Sequence, residues 1–462
     1  MLQNDVSKMF TILFVLRDAE PFHYKHILLA LTRRGHRIRV VYDERWTGEE
    51  NLLGLKACTR EYTEIKYEAA RQRIGITRTV LFYVRELLSF RRYVIVEGQS
   101  SYYKDRWRGY LPKTMQKILS LPGAEWLLGT SLVGILLASV EKIIPPVCAI
   151  RDHIRVYNPD VIFASPLDLR FSSAEVEYLK AAVRMKIPSI SSILTWDNMT
   201  TKALLRIFPD RLLAWNEVQK EEAIRFQFYP AERIRITGAT LFDDWILHLA
   251  PSTTRAEFCH MHNLRSEDPI VLYLGSSAHM ATNESWVIRE LRKALDRSGD
   301  RELARIQIII RPHPGNNHIF DEMTNANVAI IPKIGRLRIT EEELTLFYDT
   351  VYHSVAAIEG ANTTAIIESI IAEKPAIAFI NEEYKKTQME TKHFNQLVNE
   401  GALYCVHSSD EFIRVLGGIM KGQDEKKEKR SAFVKKYIRP LGMERLAAEH
   451  IADEIEIIAS GK

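Results

Sequence analysis

The sequence predicts an α/β protein of two domains, each built on a parallel β-sheet with helices on its faces. Its 462 residues exceed what one hydrophobic core usually supports, so two domains are expected. Apolar strands alternate with amphipathic helices in two blocks, one starting near Phe10 and the other near Pro269. Several strands are continuous apolar runs, which is typical of parallel strands covered on both faces. We therefore predict a first domain over residues 1–250, a second over 251–440, and a terminal segment over 441–462.

The first block opens with a βαβ unit. Phe10–Leu16 (FTILFVL) is a buried strand, residues 17–24 form a polar turn, and the following helix ends at Gly35. The second strand follows in residues 37–45, and such units nearly always form a right-handed crossover between parallel strands. Ligands of these sheets bind beyond the carboxyl ends of the strands, so we expect functional residues in the loops after strands.

Residues 59–146 interrupt this alternation with a helical, basic insertion. Arginines and lysines are interleaved with tyrosines and Trp107 over Arg71–Lys117. Beyond them, Trp126–Val140 contains no charged residue. We interpret this apolar segment as a buried helix, because a bilayer span needs roughly twenty residues. A helix that dips into a membrane is the alternative.

The composition is that of an ordinary globular protein, with 46% hydrophobic and 26% charged residues and a net charge of +4. The basic stretch is not accompanied by a known nucleic-acid-binding module, so no nucleic-acid partner is expected. The four cysteines lack CxxC spacing, which predicts neither a disulfide framework nor a zinc site. The N-terminus lacks the layout of a signal peptide, and we expect a cytoplasmic protein.

Motifs of several enzyme classes are missing from the sequence. It contains no GxxxxGK[ST], no GxGxxG after the first strand, no HExxH and no GxSxG. Phosphate-loop ATPases, dinucleotide dehydrogenases, zincins and α/β-hydrolases therefore lose support. No DxD-type acidic pair follows a strand, so neither a metal nor another cofactor is expected.

Two loops after strands of the second block suit a phosphate group. In Gly275–Ser277, which includes Ser276, small residues let backbone N–H groups and hydroxyls approach an anion; a plain turn is the alternative. In the next loop, two prolines fix the backbone around His313, which can donate to a phosphate, and Arg311 can bind it bidentately. Gly315 completes this RPHPG sequence. A capping loop with a surface histidine is the alternative reading.

A third loop, Gly360–Glu368, places Asn362, Thr363 and Thr364 at the start of a helix. Unpaired N–H groups, two hydroxyls and the helix dipole there suit a diphosphate. Glu368, one turn further on, can accept hydrogen bonds from a ribose. The alternative is that Asn362 or Thr363 only caps the helix.

The first block has its own polar loop, Thr195–Lys202 (TWDNMTTK), directly after a strand. Asp197 is a candidate general base, since a carboxylate held in a cleft can have its pKa raised toward neutrality. Its alternative role is to cap the following turn. The loop after the first strand adds three further candidates for proton transfer, which are Asp18, Glu20 and His23.

These loops resemble those of the GT-B glycosyltransferase superfamily, in which two Rossmann-like domains face each other across a cleft. The resemblance rests on RPHP in the second block and on G-x-N-T-T-x-x-x-E from Gly360 to Glu368. Its nearest branches are CDP-glycerol glycerophosphotransferases, capsule polysaccharide transferases and non-hydrolysing UDP-N-acetylglucosamine 2-epimerases. The segment from Thr195 to Trp245 also resembles bacterial GT-B-like proteins of unassigned activity.

The resemblance implies that the second domain binds a nucleotide donor and the first an acceptor. It also implies that a final helix, Gly442–Ile458, crosses back to the first domain. Glycerophosphotransferases carry a histidine in the loop where this sequence has Asp197, which weakens the implied polyol-phosphate chemistry. The donor would be surrounded by the residues named above in the three loops of the second block. The acceptor side would include Trp196, Asn198 and Lys202.

The predicted function is a metal-independent glycosyltransferase that uses a nucleotide-sugar donor and a glycan or lipid-linked acceptor in surface polysaccharide or glycolipid synthesis. The alternatives are a CDP-polyol phosphotransferase, a sugar-nucleotide 2-epimerase, and a nucleotide-binding GT-B protein without activity. Arg71–Lys117 and the apolar segment beyond it further predict peripheral contact with the anionic inner face of a membrane. A solvated insertion that shapes the acceptor site is the alternative.

Overall fold

The structure, a computed structural model, describes residues 8–17, 21–167, 173–248, 250–335 and 340–461. Contacts divide the chain into two compact units. Unit 1 comprises Met1–Asp243 and Tyr437–Lys462, and unit 2 comprises Asp244–Lys436. Each unit contains a parallel sheet flanked by helices. The prediction of two α/β domains on parallel sheets is confirmed.

Unit 1 has a seven-stranded sheet within its described residues, in the order β3-β2-β1-β4-β5-β6-β7. Two of its central strands, Thr11–Leu16 and Val161–Ser165, are rich in Ile, Val, Leu and Phe and are almost wholly buried, as expected in the middle of a parallel sheet. The strands are β1 (Thr11–Leu16), β2 (Arg37–Tyr42), β3 (Ile65–Ala69), β4 (Val161–Ser165), β5 (Ser189–Ser192), β6 (Arg211–Ala214) and β7 (Ile234–Ile236).

The helices of unit 1 fall into those that cover the sheet and those of the insertion. The first set is α1 (Pro21–Arg33), α2 (Glu49–Glu61), α8 (Cys148–Tyr157), α9 (Ala174–Met185), α10 (Asn198–Thr201), α11 (Glu217–Gln227) and α21 (Ala447–Ala459). The helices of the insertion are α3 (Ile76–Ile95), α4 (Ser101–Tyr110), α5 (Lys113–Leu119), α6 (Ala124–Gly129) and α7 (Ser131–Ile143).

Aromatic residues of the basic stretch form the core of this insertion. Phe90, Tyr93, Tyr103 and Trp107 are buried in one cluster. A buried ion network holds the insertion to the sheet-covering helices, because Arg85 of α3 pairs with Glu141 of α7 and with Glu177 of α9, each at 2.7–2.8 Å. The insertion is therefore an integral part of unit 1.

The prediction of one buried helix over Trp126–Val140 is wrong. The chain breaks at Thr130, and the Arg91 guanidinium binds the carbonyl oxygens of Leu128, Gly129 and Thr130 at this break. The following helix, α7, packs against α3 through one face only. Its opposite face, which is apolar, is exposed. No single helix among the described residues is long and apolar enough to cross a bilayer, although the bent pair α7 and α8 passes that test together.

The last helix, α21, packs on α1 within unit 1. Ile451 and Ile455 belong to the core beneath β1. The buried carboxylate of Asp243 accepts hydrogen bonds from the first two amides of α21, Ala447 N at 3.0 Å and Ala448 N at 2.9 Å, and so fixes where the helix begins. Arg34, directly after α1, forms ion pairs with Asp453 and Glu456 of α21.

Unit 2 has a six-stranded parallel sheet over the part of it that the structure describes, in the order β10-β9-β8-β11-β12-β13. The strands are β8 (Ile270–Leu274), β9 (Gln307–Arg311), β10 (Val328–Ile330), β11 (Ala356–Glu359), β12 (Ala376–Phe379) and β13 (Tyr404–Val406). The helices are α13 (Arg255–Met261), α14 (Ser285–Arg297), α15 (Arg301–Ala304), α16 (Glu341–Tyr352), α17 (Ala365–Ile371), α18 (Lys392–Asn399), α19 (Ser409–Met420) and α20 (Lys427–Phe433), while α12 (Asp243–Leu247) spans the division between the units.

Candidate functional site

The three loops singled out in the second block follow three neighbouring strands of unit 2. Gly275–Ser277 follows β8, the RPHPG loop follows β9, and the Gly360–Glu368 segment follows β11. The chain leaves β8 toward β9 and β10 and later returns to pair β11 with the other side of β8. This reversal is the topological switch point where open parallel sheets bind ligands. The structure therefore brings the predicted donor residues to one sheet edge.

The loop after β8 is locked to the loop after β9. Gly275 N donates to Arg311 O at 2.9 Å, and a Cβ at Gly275 would lie only 3.0 Å from that oxygen, so any larger residue would crowd this contact. The side-chain amide of Asn316 donates to Ser276 O at 3.2 Å and to Ala281 O at 3.0 Å. These bonds leave the part-exposed Ser277 as the outermost hydroxyl of the loop.

His313 is held as a hydrogen-bond donor. Its Nδ1 accepts from Gly315 N at 3.0 Å. Burial, together with the nearby His279, lowers the pKa of His313, which favours the neutral ring. A neutral imidazole whose Nδ1 accepts must carry its proton on Nε2, and that N–H can donate to a phosphate oxygen. Arg311, at the end of β9, stacks its guanidinium on Phe347 with 4.3 Å between Cζ and the ring centre.

The loop after β11 is built around backbone-to-side-chain bonds. Glu359 accepts from Thr363 N at 3.0 Å. The Asn362 amide donates to Thr387 O at 3.0 Å and lies 3.0 Å from His393 Nε2, so it ties this loop to the segment before α18 instead of capping α17. Thr363 and Thr364 are part-exposed at the start of α17.

Glu368 and Gly360 occupy buried positions in this loop and helix. The Glu368 carboxylate is buried and accepts from Trp245 Nε1 at 3.0 Å within unit 2. A Cβ at Gly360 would overlap the hydroxyl of Tyr273, so only glycine allows β11 to end beside β8 as it does.

A pair of buried carboxyl groups beneath these loops was not found from the sequence. Glu284, just before α14, accepts hydrogen bonds from Ser276 N and from Tyr273 Oη, the latter at 3.0 Å. Burial raises the pKa of Glu284 to about 7. Burial and the neighbouring Glu284 also raise the pKa of Glu359 well above its usual range. The sequence gives no signal for the pair. Glu284 and Glu359 are far apart in the chain, and they come near each other only because of the order of the strands in the sheet.

A further segment missed by the sequence closes one side of the site. Asn381 Nδ2 donates to Gly360 O at 3.0 Å. Tyr384 Oη donates to Asn283 O at 2.6 Å, and Thr387 Oγ1 donates to Met280 O at 2.9 Å. The segment after β12 thus cross-links the loops after β8 and β11 into one rigid edge.

In unit 1, the carboxylate of Asp197 is fully engaged by its own loop. It accepts from Thr195 Oγ1 at 2.6 Å and from Thr201 Oγ1 at 2.7 Å, and Lys202 Nζ lies 3.3 Å away. Its backbone oxygen accepts from Thr201 N at 3.0 Å. These contacts stabilise the turn around α10, and they also fix the orientation of the Asp197 side chain.

Side chains of the insertion donate hydrogen bonds to the backbone of this loop. Arg92 of α3 donates to Lys202 O at 2.7 Å, and Trp107 Nε1 of α4 donates to Thr201 O at 3.1 Å. Of the other residues predicted there, Trp196 and Asn198 are buried and Lys202 is part-exposed. The basic insertion thus supports the Asp197 loop directly.

Asp18 and Glu20 lie outside the described residues. His23 lies in the first turn of α1, edge-on to Tyr24 with 6.1 Å between ring centres. Tyr24 donates to Ser165 Oγ at 3.3 Å, which places this turn at the carboxyl ends of β1 and β4. In the part of the chain that the structure describes, no group of three or more His, Cys, Asp or Glu side chains could hold a metal ion.

No family model matches the chain, and no curated protein matches its sequence. Solved structures match it in fold. The UDP-GlcNAc 2-epimerase of Methanocaldococcus jannaschii is 14% identical with a TM-score of 0.55, covering 97% of this chain and 99% of that one. The same enzyme in complex with UDP-GlcNAc and UDP gives a TM-score of 0.51 at the same identity and coverage.

Two transferase structures match at similar levels. A glycosyltransferase from Rickettsia africae is 11% identical with a TM-score of 0.54, covering 98% of this chain and 100% of that one. The wall teichoic acid polymerase TagF, in a structure with CDPG, is 11% identical with a TM-score of 0.50, covering 99% and 91%. At these identities the matches show the fold alone, which is the two-domain GT-B fold.

Proposed function

We propose that this chain, with its GT-B fold, is a glycosyltransferase that uses a nucleotide-sugar donor and a glycan or lipid-linked acceptor in surface polysaccharide or glycolipid synthesis. The observation that carries the proposal is the edge of unit 2. There the part-exposed side chains of Ser277, His313 and Thr363 follow three neighbouring strands at a switch point. Structural neighbours solved with UDP-GlcNAc and UDP, and with CDPG, are consistent with a donor of this class.

In the proposed reaction, the bond between the sugar and the diphosphate oxygen breaks, and the acceptor oxygen bonds to the sugar. Negative charge then develops on the leaving diphosphate. His313 Nε2–H and the part-exposed hydroxyls of Thr363 and Thr364 are the donors that stabilise this charge. The bonds from Gly315 N to His313 and from Thr363 N to Glu359 hold these donors in place before the substrate arrives.

The proton of the acceptor hydroxyl goes to a carboxylate or imidazole of unit 1, and Asp197 is our first candidate. The hydroxyls of Thr195 and Thr201 donate to its two oxygens and hold the carboxylate in one orientation. The turn with Asp18, Glu20 and His23 supplies the other candidates. Asp197→Asn is expected to lower the rate of transfer about a hundredfold or more while leaving donor affinity unchanged.

The experiment that tests the proposal is a thermal-shift panel with UDP, GDP, CDP, ADP and dTDP. A ligand that binds only the folded state raises the melting temperature by mass action. The decisive variant is His313→Asn, because its Oδ1 can still accept from Gly315 N while the Nε2–H donor is gone. The matched control is His318→Asn, an exposed histidine of the same region. We expect one diphosphate to bind, and His313→Asn to weaken it about tenfold while the control does not.

The same panel separates the proposal from its alternatives. Selective stabilisation by CDP would favour a polyol phosphotransferase, and conversion of a nucleotide sugar without acceptor would identify an epimerase. Binding without turnover over an acceptor panel would indicate a protein without activity. The proposed transferase should work in the presence of a chelator. Equal diphosphate affinity in wild type and His313→Asn would count directly against the assigned donor site.

A further inference from the structure

The insertion of unit 1 exposes a run of large apolar side chains, which we name the apolar face. Trp126, Leu132 and Ile143 are 75%, 67% and 78% exposed. A soluble surface exposes single apolar residues at random, whereas a cluster of this kind marks a contact site. The apolar face comprises Leu121, Trp126, Leu132, Ile135, Leu136 and Ile143.

The packing of α7 on α3 explains why these residues point outward. A Cβ at Gly134 would lie 2.7 Å from Arg91 Cζ, and Glu141 pairs with Arg85, so the face of α7 that contains 134 and 141 is fixed on α3. Residues 132, 135, 136 and 143 follow helical spacing on the opposite side. The apolar face is thus a rigid surface presented by the fold.

The fully exposed charged residues in the segment that contains most of the apolar face are all basic. Over residues 113–143 the acidic groups are Glu125 and Glu141. Glu125 is bound by Lys104 and Arg108, and Glu141 is buried against Arg85 and Lys180. The other charged residues of this stretch are Lys113, Lys117 and Lys142, all of them exposed.

The stretch from Arg71 to Ile143, which contains the five helices of the insertion, is also far more basic than the rest of the chain. Residues 71–143 contain twelve Lys or Arg and five Asp or Glu, a balance of +7, whereas the full chain carries only +4. The remainder of the chain is therefore net negative by three charges. An anionic partner would be attracted to the insertion and repelled elsewhere.

We propose that the apolar face binds the surface of an anionic lipid bilayer. Its aromatic and aliphatic side chains enter the boundary between headgroups and acyl chains, as amphipathic surfaces do. The three exposed lysines lie against the lipid phosphates. The apolar side chains supply most of the affinity, and the lysines make it depend on lipid charge and on salt. The inference concerns a docking surface and does not depend on the proposed transferase activity.

Co-sedimentation with vesicles tests the proposal on the full chain, using phosphatidylcholine with and without phosphatidylglycerol. The apolar variant replaces Leu132, Ile135 and Leu136 by serine, which leaves folding intact because these side chains are exposed. The control is Val156→Ser on α8, where the valine is also exposed, at 78%, but lies outside the apolar face. We expect tighter binding to anionic than to neutral vesicles, with the affinity lowered at least tenfold in the apolar variant and unchanged in the control.

A second variant isolates the charge component. Lys117→Gln with Lys142→Gln should weaken binding to anionic vesicles by about fivefold per lysine and reduce its salt dependence. Equal binding to neutral and anionic vesicles, or no binding to either, would overturn the proposal.

A second copy of the chain is the competing occupant of the apolar face. Light scattering without lipid distinguishes it. A dimer that the apolar variant converts to a monomer would overturn the membrane assignment, whereas a monomer in both proteins supports it.

Discussion

Replacing Glu284 by glutamine should stabilise unit 2 at alkaline pH and have no effect in acid. Glu284 is fully buried, and its carboxyl group contacts Ser276 N and Tyr273 Oη. Glutamine has the same shape and can make both contacts, with its amide donating to the tyrosine oxygen. The variant therefore copies the neutral form of the carboxyl group and removes only the possibility of a buried charge.

The magnitude follows from the pKa of Glu284, which burial raises from about 4.5 to about 7. Each unit of pKa difference between the folded and unfolded states is worth about 1.4 kcal/mol, so the full effect is about 3 kcal/mol. The folded state holds its proton longer than the unfolded state. The stability associated with the neutral group is therefore fully present below about pH 4.5 and is lost as pH rises through about 7.

Amide hydrogen exchange of β8 and β11 measures this effect in unit 2 without assuming that the whole chain unfolds in one step. At pH 8.5 and above, Glu284→Gln should raise the free energy of opening of these strands by about 3 kcal/mol, and near pH 4.5 by almost nothing. A variant that is equally stabilised at both pH values, or destabilised at alkaline pH, would refute the buried-proton account.

Two further predictions concern contacts that the fold depends on. Arg85→Met should lower the free energy of urea unfolding of unit 1 by about 3–5 kcal/mol, because it leaves Glu141 and Glu177 buried without this partner. A loss below about 1 kcal/mol would show that unit 1 does not need this ion network. Gly360→Ala should both lower the melting temperature of unit 2 and weaken diphosphate binding, because the added Cβ would overlap the Tyr273 side chain. Unchanged binding in a destabilised variant would show that this loop is not part of the diphosphate site.

The fold was predictable because the hydrophobic pattern of each segment agrees with the strand or helix that the segment forms in the structure. Strands such as β1 and β8 are continuous apolar runs between polar turns, and their period distinguishes them from the helices that follow. The position of the three candidate loops at one sheet edge was predictable for a related reason. Small residues, prolines and threonines stood directly after strands, and parallel strands bring such loops to one edge.

Other features depend on contacts between distant parts of the chain. Glu284 and Glu359 meet only because β11 returns to the side of β8, which no local pattern specifies. The apolar segment near Trp126 is apolar on all sides, so its sequence does not distinguish a buried helix from one with an exposed face. The packing of Arg91 against Gly134 decides which face of α7 is buried.

Hydrogen exchange with and without the stabilising nucleoside diphosphate tests the donor-site assignment most directly. We expect protection in residues 275–281, 313–317 and 360–366 of unit 2, which are the loops after β8, β9 and β11. Weaker protection of the same loops in His313→Asn at equal ligand concentration would agree with it. Protection confined to unit 1, or no protection of these three loops under conditions where the diphosphate binds, would contradict it.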